Sequence, residues 1–235
     1  MFLNSNYFLC MVPAFLLMAI ASIYVKSAYR KWSQVRASSG MTGYDAAQRL
    51  IARAGLSGIQ VQPVAGTLTD NYDPRTKILH LSQDVAGTAS VASVAVAAHE
   101  LGHAQQDAQG YLPLRFRSAI VPMVSIGSNL GWIMIIGGLF LSSMGWALGV
   151  NISWLGVVFF AGGAVFALAT LPVELNASAR ARVLLSETGI ISGPEEQRGV
   201  SSVLNAAALT YVAALVSSLL QLFYYISLVG GRRRS

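Results

Sequence analysis

The sequence predicts a mostly α-helical integral membrane protein: four transmembrane helices, plus a small cytoplasmic α/β subdomain whose last helix carries two histidines and a glutamate. Composition, span length and one polar interval predict it. Of 235 residues, 54% are hydrophobic and only 11% charged, against roughly 25% charged residues in an ordinary soluble domain. Four apolar stretches without a charged residue are long enough to cross a bilayer, and a single sizeable polar segment lies between the first and second. The formal charge of +6 does not point to nucleic acid, because the basic residues flank apolar spans, where lipid headgroups are their partners. Cys10 is the sole cysteine, so a disulfide framework within the chain and a cysteine-based metal cluster are both excluded.

The first span, Tyr7 to Val25 within 1–25, is followed at once by Lys26, Arg30, Lys31 and Arg36. It lacks the basic leading region of a secretory signal and reads as a retained anchor. The further spans are 118–141, 152–171 and 203–229, with a post-span helix at 172–202 between the last two and a basic tail at 230–235 with Arg232, Arg233 and Arg234. In the polar segment 26–117, Thr42-Gly43-Tyr44-Asp45 is a capping-box pattern that starts a helix, and Gly55 stops it. Ile59 to Val64 alternates as a half-buried strand does, and a turn at Asp73-Pro74-Arg75 leads into a second alternating stretch, Lys77 to Leu81. A helix is predicted from Ala89 to Gln109, ended by Gly110. The basic residues beside the first span, with Arg115 and Arg117 before the second, place the polar segment in the cytoplasm. The terminal arginines, which four spans put on the other side, argue the opposite and are outweighed.

His99-Glu100-Leu101-Gly102-His103 lies in the second half of that predicted helix. Residues four apart on a helix differ by about 40° in azimuth and 6 Å in height, so two imidazoles can meet one ion. Glu100 is offset by about 100°, which keeps it from direct ligation yet near enough to take a proton from a metal-activated water. Gly102 leaves room for another element to approach beside the metal. The bland alternative, two histidines and a glutamate on a solvated face, fits poorly with the apolar lead-in from Val94 to Ala98.

A catalytic zinc usually takes three protein donors and leaves one position open. No histidine follows His103. Asp107 shares the helix face but sits about 12 Å along the axis from His99, which suits a solvated or outer acid. Glu187, Glu195 and Glu196 read as exposed loop or helix-start charges. Glu174 directly follows the third span, where a carboxylate is costly unless paired. Zinc is one partner for it; headgroups or Arg180 are the alternative. Ala177, Ser178 and Ala181 are small enough for close packing against the motif helix. Tyr72, Arg75 and Tyr211 can each donate to a developing oxyanion, with a packing or turn role as the alternative for each. His80 reads as a solvent-face strand residue rather than a ligand.

Over nearly its whole length the chain resembles the bacterial membrane zinc metallopeptidases of the neutral zinc metallopeptidase (YugP-like) type. The resemblance is carried by Thr69-Asp70-Asn71-Tyr72-Asp73-Pro74-Arg75-Thr76-Lys77, Ala97-Ala98-His99-Glu100-Leu101-Gly102-His103-Ala104, Leu171-Pro172-Val173-Glu174 and Ala207-Ala208-Leu209-Thr210-Tyr211-Val212-Ala213-Ala214. It implies a membrane-bound metalloendopeptidase with a zincin-like subdomain and one Zn2+ per chain in a gluzincin-like set. In that set His99, His103 and Glu174 are ligands and Glu100 is the acid/base. Substrates would be peptide or protein segments near the membrane or unfolded, and no nucleic acid is expected. Asn176 departs from the family pattern, which often has an acid there; an amide would orient a zinc ligand without the charge. A more distant similarity, to membrane peptidases of the heat-shock and prenyl-protein-processing type, implies a short sheet beside the motif helix. Its edge strand would hold substrate, and Lys77 to Leu81 is the expected strand. Two rival readings remain, an intramembrane-cleaving protease and a non-catalytic zinc-containing scaffold or chaperone. The first requires an aspartate ligand from a later span, and no later span contains one. The second has no need of Glu100.

Overall fold

Each of the four charge-free stretches lies inside a longer helix. The computed structural model describes residues 5–231, so the tail arginines Arg232 to Arg234 lie outside the described residues. In chain order the elements are α1 (Ser5–Ser33), α2 (Gly43–Ala54), β1 (Gln60–Val64), β2 (Asn71–Asp73), β3 (Ile78–Ser82), α3 (Gln83–Gly87), α4 (Val91–Ala108), α5 (Leu112–Ser143), α6 (Leu148–Glu187) and α7 (Pro194–Gly230). α1, α5, α6 and α7 are long and apolar enough to cross a membrane. α6 does not end where the third apolar span does. It continues past Pro172 to Glu187, so 172–187 belongs to the same helix and only a short turn separates it from α7.

The chain divides into two compact units. One comprises Met1–Ala21, Phe116–Leu171 and Tyr211–Ser235. In it α5 and α6 meet through small residues: a side chain on Gly131 would strike Gly156 and Phe160, and one on Gly138 would strike Gly149 and Ser153. Such contacts let helix backbones approach where lipid supplies no hydrophobic driving force.

The other unit comprises Ser22–Arg115 and Pro172–Thr210. α2 begins with the expected capping box, Thr42 and Asp45 bonding reciprocally, and ends at Gly55 with φ 64°. The sheet order is β1-β3-β2, with β1 parallel and β2 antiparallel to β3. This corrects the expectation for Lys77 to Leu81. β3 is the central strand, with Leu79 aligned to Val61 on one side and to Tyr72 on the other, so its edges are already occupied. Its alternation sends Leu79 and Leu81 into the core. His80, expected to face solvent, is half-buried, and its Nδ1 has no hydrogen-bond partner among the described residues.

α4 is the centre of this unit. Ser90 caps it, its side chain accepting from Ser93 N–H at 3.1 Å, and the helix is buried on nearly every side. Its Leu101 joins Leu50, Leu79, Leu81, Val85, Leu185 and Leu204 in one apolar cluster. The solvated-face alternative for the motif is thereby removed. Glu196 corrects the reading of the late glutamates. It is buried, and its carboxylate accepts from the Ser38 backbone N–H, the Ser38 hydroxyl at 2.9 Å and Ser192 N–H at 3.3 Å. Glu187 and Glu195 are exposed, as expected.

α4 and α6 are in backbone contact. A Cβ on Gly102 would collide with the Ala177 carbonyl, and Ala177, Ser178 and Ala181 are all buried, as their size predicts. Gly102→Ala should therefore force the helices apart and cost about 1–3 kcal/mol, typical of overpacking against backbone that cannot yield. Thermal unfolding of the detergent-solubilised protein measures this; an unchanged midpoint would contradict so close an approach.

Candidate metal centre

Helix α4 presents His99 and His103 one turn apart, with ring centroids separated by 4.9 Å and planes nearly perpendicular. From α6, the Glu174 carboxylate reaches between them. Its Oε2 lies 3.2 Å from His99 Nε2 and 3.4 Å from His103 Nε2, and one donor atom from each of the three residues falls within 4.8 Å of the others. Donors about 2.0–2.1 Å from a tetrahedral zinc stand about 3.3–3.4 Å apart, so the two His–Glu separations fit that ion. The donor chemistry fits as well, two imidazoles and one carboxylate being a catalytic-type zinc set.

Glu174 is 3% exposed and Glu100 is 9% exposed, so both carboxylates are withdrawn from water. Burial pushes the Glu100 carboxyl up from the usual range, and attraction to His99 and His103 only partly offsets it. For His103, burial favours the neutral ring, but the Glu174 hydrogen bond and the nearby Glu100 charge outweigh it and the net shift is upward.

The outer contacts include two that sequence reasoning missed. His99 Nδ1 lies 3.2 Å from the Ser178 hydroxyl, and His103 Nδ1 lies 3.0 Å from Gln106 Oε1. Ser178 was singled out only for its size and Gln106 not at all. The i, i+3 spacing from His103 to Gln106 is the one signal that could have found the second. Asn176 does not touch a candidate ligand directly. Its Oδ1 accepts from Gln106 Nε2 at 3.0 Å and from Arg180 Nε at 2.7 Å. Arg180 also donates to Gln109 Oε1 at 2.7 Å, so its hydrogen bonds run to neutral amides.

Two of the remaining candidates, Tyr72 and Arg75, have hydrogen-bond partners outside His99, His103 and Glu174. The Tyr72 hydroxyl donates to Asp107 Oδ2 at 2.8 Å, and burial together with that bond pushes its pKa well up. Asp107 also receives Lys77 Nζ, which accounts for it as an outer acid. Arg75 is exposed on the turn after β2, its backbone N–H donating to Asp73 at 2.8 Å. Tyr211 lies on α7 in the first-described unit.

A largely buried cluster of two histidines and a glutamate, in a chain with four helices long and apolar enough to span a membrane, presents a donor set of the metallohydrolase type. The chain belongs to the zinc peptidase family described as "Putative neutral zinc metallopeptidase", whose profile matches residues 7–230. It is 42% identical over 206 residues to "Putative membrane protease YugP" of Bacillus subtilis (strain 168), covering 88% of each chain. No solved structure matches it.

Glu174→Ala is expected to lower the metal content of the purified protein sharply, whereas His80→Ala should leave it unchanged. Elemental analysis decides; full occupancy in Glu174→Ala would place the third donor elsewhere.

Proposed function

We propose that the chain is a zinc-dependent endopeptidase of the HExxH type, anchored in the membrane and acting on membrane-proximal or unfolded protein segments. The supporting observation is a group of three donors, His99, His103 and Glu174, beside a buried carboxylate, Glu100, that is not among them. A structural zinc site closes its fourth position with a protein ligand, while a hydrolytic one leaves it for water and needs a base nearby. Charge balance points the same way. Two buried carboxylates with two neutral imidazoles leave two negative charges, which a dication neutralises and which burial otherwise makes costly.

His99, His103 and Glu174 would hold a zinc ion, which when bound would supply Lewis-acid polarisation of the scissile carbonyl and raise the acidity of the attacking water. Glu100, one residue after His99 and on the adjoining helix face, takes the proton from the attacking water. The water oxygen bonds to the carbonyl carbon, the C–N bond breaks, and Glu100 returns the proton to the leaving nitrogen. β3 being enclosed, the edge strands are β1 and β2, and β2 is the one offered to a substrate because its Tyr72 is tied to the motif helix α4 through Asp107. An extended peptide paired with that outer edge is selected by conformation more than by sequence. The basic residues Lys26, Arg30, Lys31 and Arg36 support a cytoplasmic position for the site.

The test compares wild type with Glu100→Ala for zinc content and for cleavage of an unfolded test protein. Retained zinc with cleavage reduced at least about 100-fold is expected, within the range general-base removal produces. Equal cleavage by both proteins would overturn the reading.

A further inference from the structure

We infer that Gln106 is the positioning residue that fixes His103 for metal binding, and that its orientation is set by the helix that carries Glu174. This rests on the zinc-site reading above. The argument is one of hydrogen-bond polarity. Gln106 is fully buried and makes three contacts: Oε1 to His103 Nδ1 at 3.0 Å, Nε2 to the Val173 carbonyl at 2.8 Å, and Nε2 to Asn176 Oδ1 at 3.0 Å. A backbone carbonyl only accepts, so the amide NH2 must face Val173. The second acceptor is fixed independently. Arg180 Nε only donates, so Asn176 turns its oxygen toward it, and that same oxygen receives Gln106. With both NH2 hydrogens committed, only Oε1 faces His103. When the ring is neutral, as a metal ligand must be, its proton is therefore on Nδ1 and its lone pair on Nε2, the atom 3.4 Å from Glu174 Oε2. That is the tautomer a metal requires.

Asn176 thus acts at one remove, through Gln106 rather than on a ligand. An oxygen acceptor is all that position needs to supply, which an amide and a carboxylate provide alike. His99 is held differently, by a Ser178 hydroxyl that can either donate or accept. The polarity argument therefore applies to His103 and not to His99.

The test uses the full-length protein in detergent and reads zinc affinity by chelator competition, with the absorption spectrum of the Co2+-substituted protein as a second readout. Gln106→Met keeps length and burial without the amide. It should weaken zinc binding about 10- to 100-fold and change the Co2+ spectrum, while far-UV circular dichroism of the metal-free protein stays as in wild type. Asn176→Asp should stay within about threefold of wild type, since its carboxylate still accepts from both donors. Wild-type affinity and spectrum in Gln106→Met would overturn the inference. If Gln106→Met does not fold, Asn176→Leu decides: removing one of the two acceptors should weaken zinc binding measurably, and wild-type affinity would overturn the inference. Failure of the wild type itself to bind zinc would instead overturn the underlying site reading, so the two failures are distinguishable.

Discussion

The backbone contact between Gly102 and Ala177 is the constraint on which the candidate centre depends. Donors on two helices converge on one point only if the helices are held in a fixed approach, and at Gly102 the missing Cβ brings the two backbones into direct contact. The contact sits at the right height. Glu174 is three residues before Ala177, about 4.5 Å along α6, while His99 and His103 bracket Gly102 on α4. Ser178 and Ala181 continue the narrow face, and a larger residue at any of these positions would separate the donors.

Close packing also determines the electrostatics. The residues that exclude water from around α4 leave Glu100 and Glu174 largely buried, where an unpaired carboxylate is expensive. The histidine nitrogens beside Glu174 and the upward shift of Glu100 are two responses to that one cost. A dication at the three donors answers it more completely than protonation does, because it neutralises both charges at once. The same desolvation that makes the site costly strengthens any interaction with developing charge inside it.

Much of this architecture was legible in the sequence, for definite reasons. Charge-free runs revealed the spans, and the Thr42 capping box with Gly55 and the Gly110 stop bounded α2 and α4 to within two residues. Glu174 stood out because a carboxylate beside an apolar span needs a partner. What escaped notice depends on contacts that no local pattern encodes. β2 is three residues long, too short to show alternation, and without it β3 passed for an edge. Glu196 is buried by partners that include Ser38, 158 residues away, so its helix-start position looked like exposure. The roles of Ser178 and Gln106 depend on how α4 and α6 are rotated about their own axes, which hydrophobic periodicity constrains only loosely.

The recognition motif alone therefore describes half of the centre. α4 contributes His99, His103 and Glu100, but α6 contributes Glu174 and, directly or through Gln106, orients the outer contact of both rings. A helix carrying the motif without α6 docked against it would have free imidazoles, no fixed tautomer at His103 and no carboxylate between them. Metal affinity and the docking of these two helices are consequently one equilibrium: whatever holds α6 against Gly102 also preorganises the donors, and a bound ion adds its binding free energy to that docking. Gly102, which offers no donor, thus serves the site by what it leaves out, the Cβ that would strike the Ala177 carbonyl.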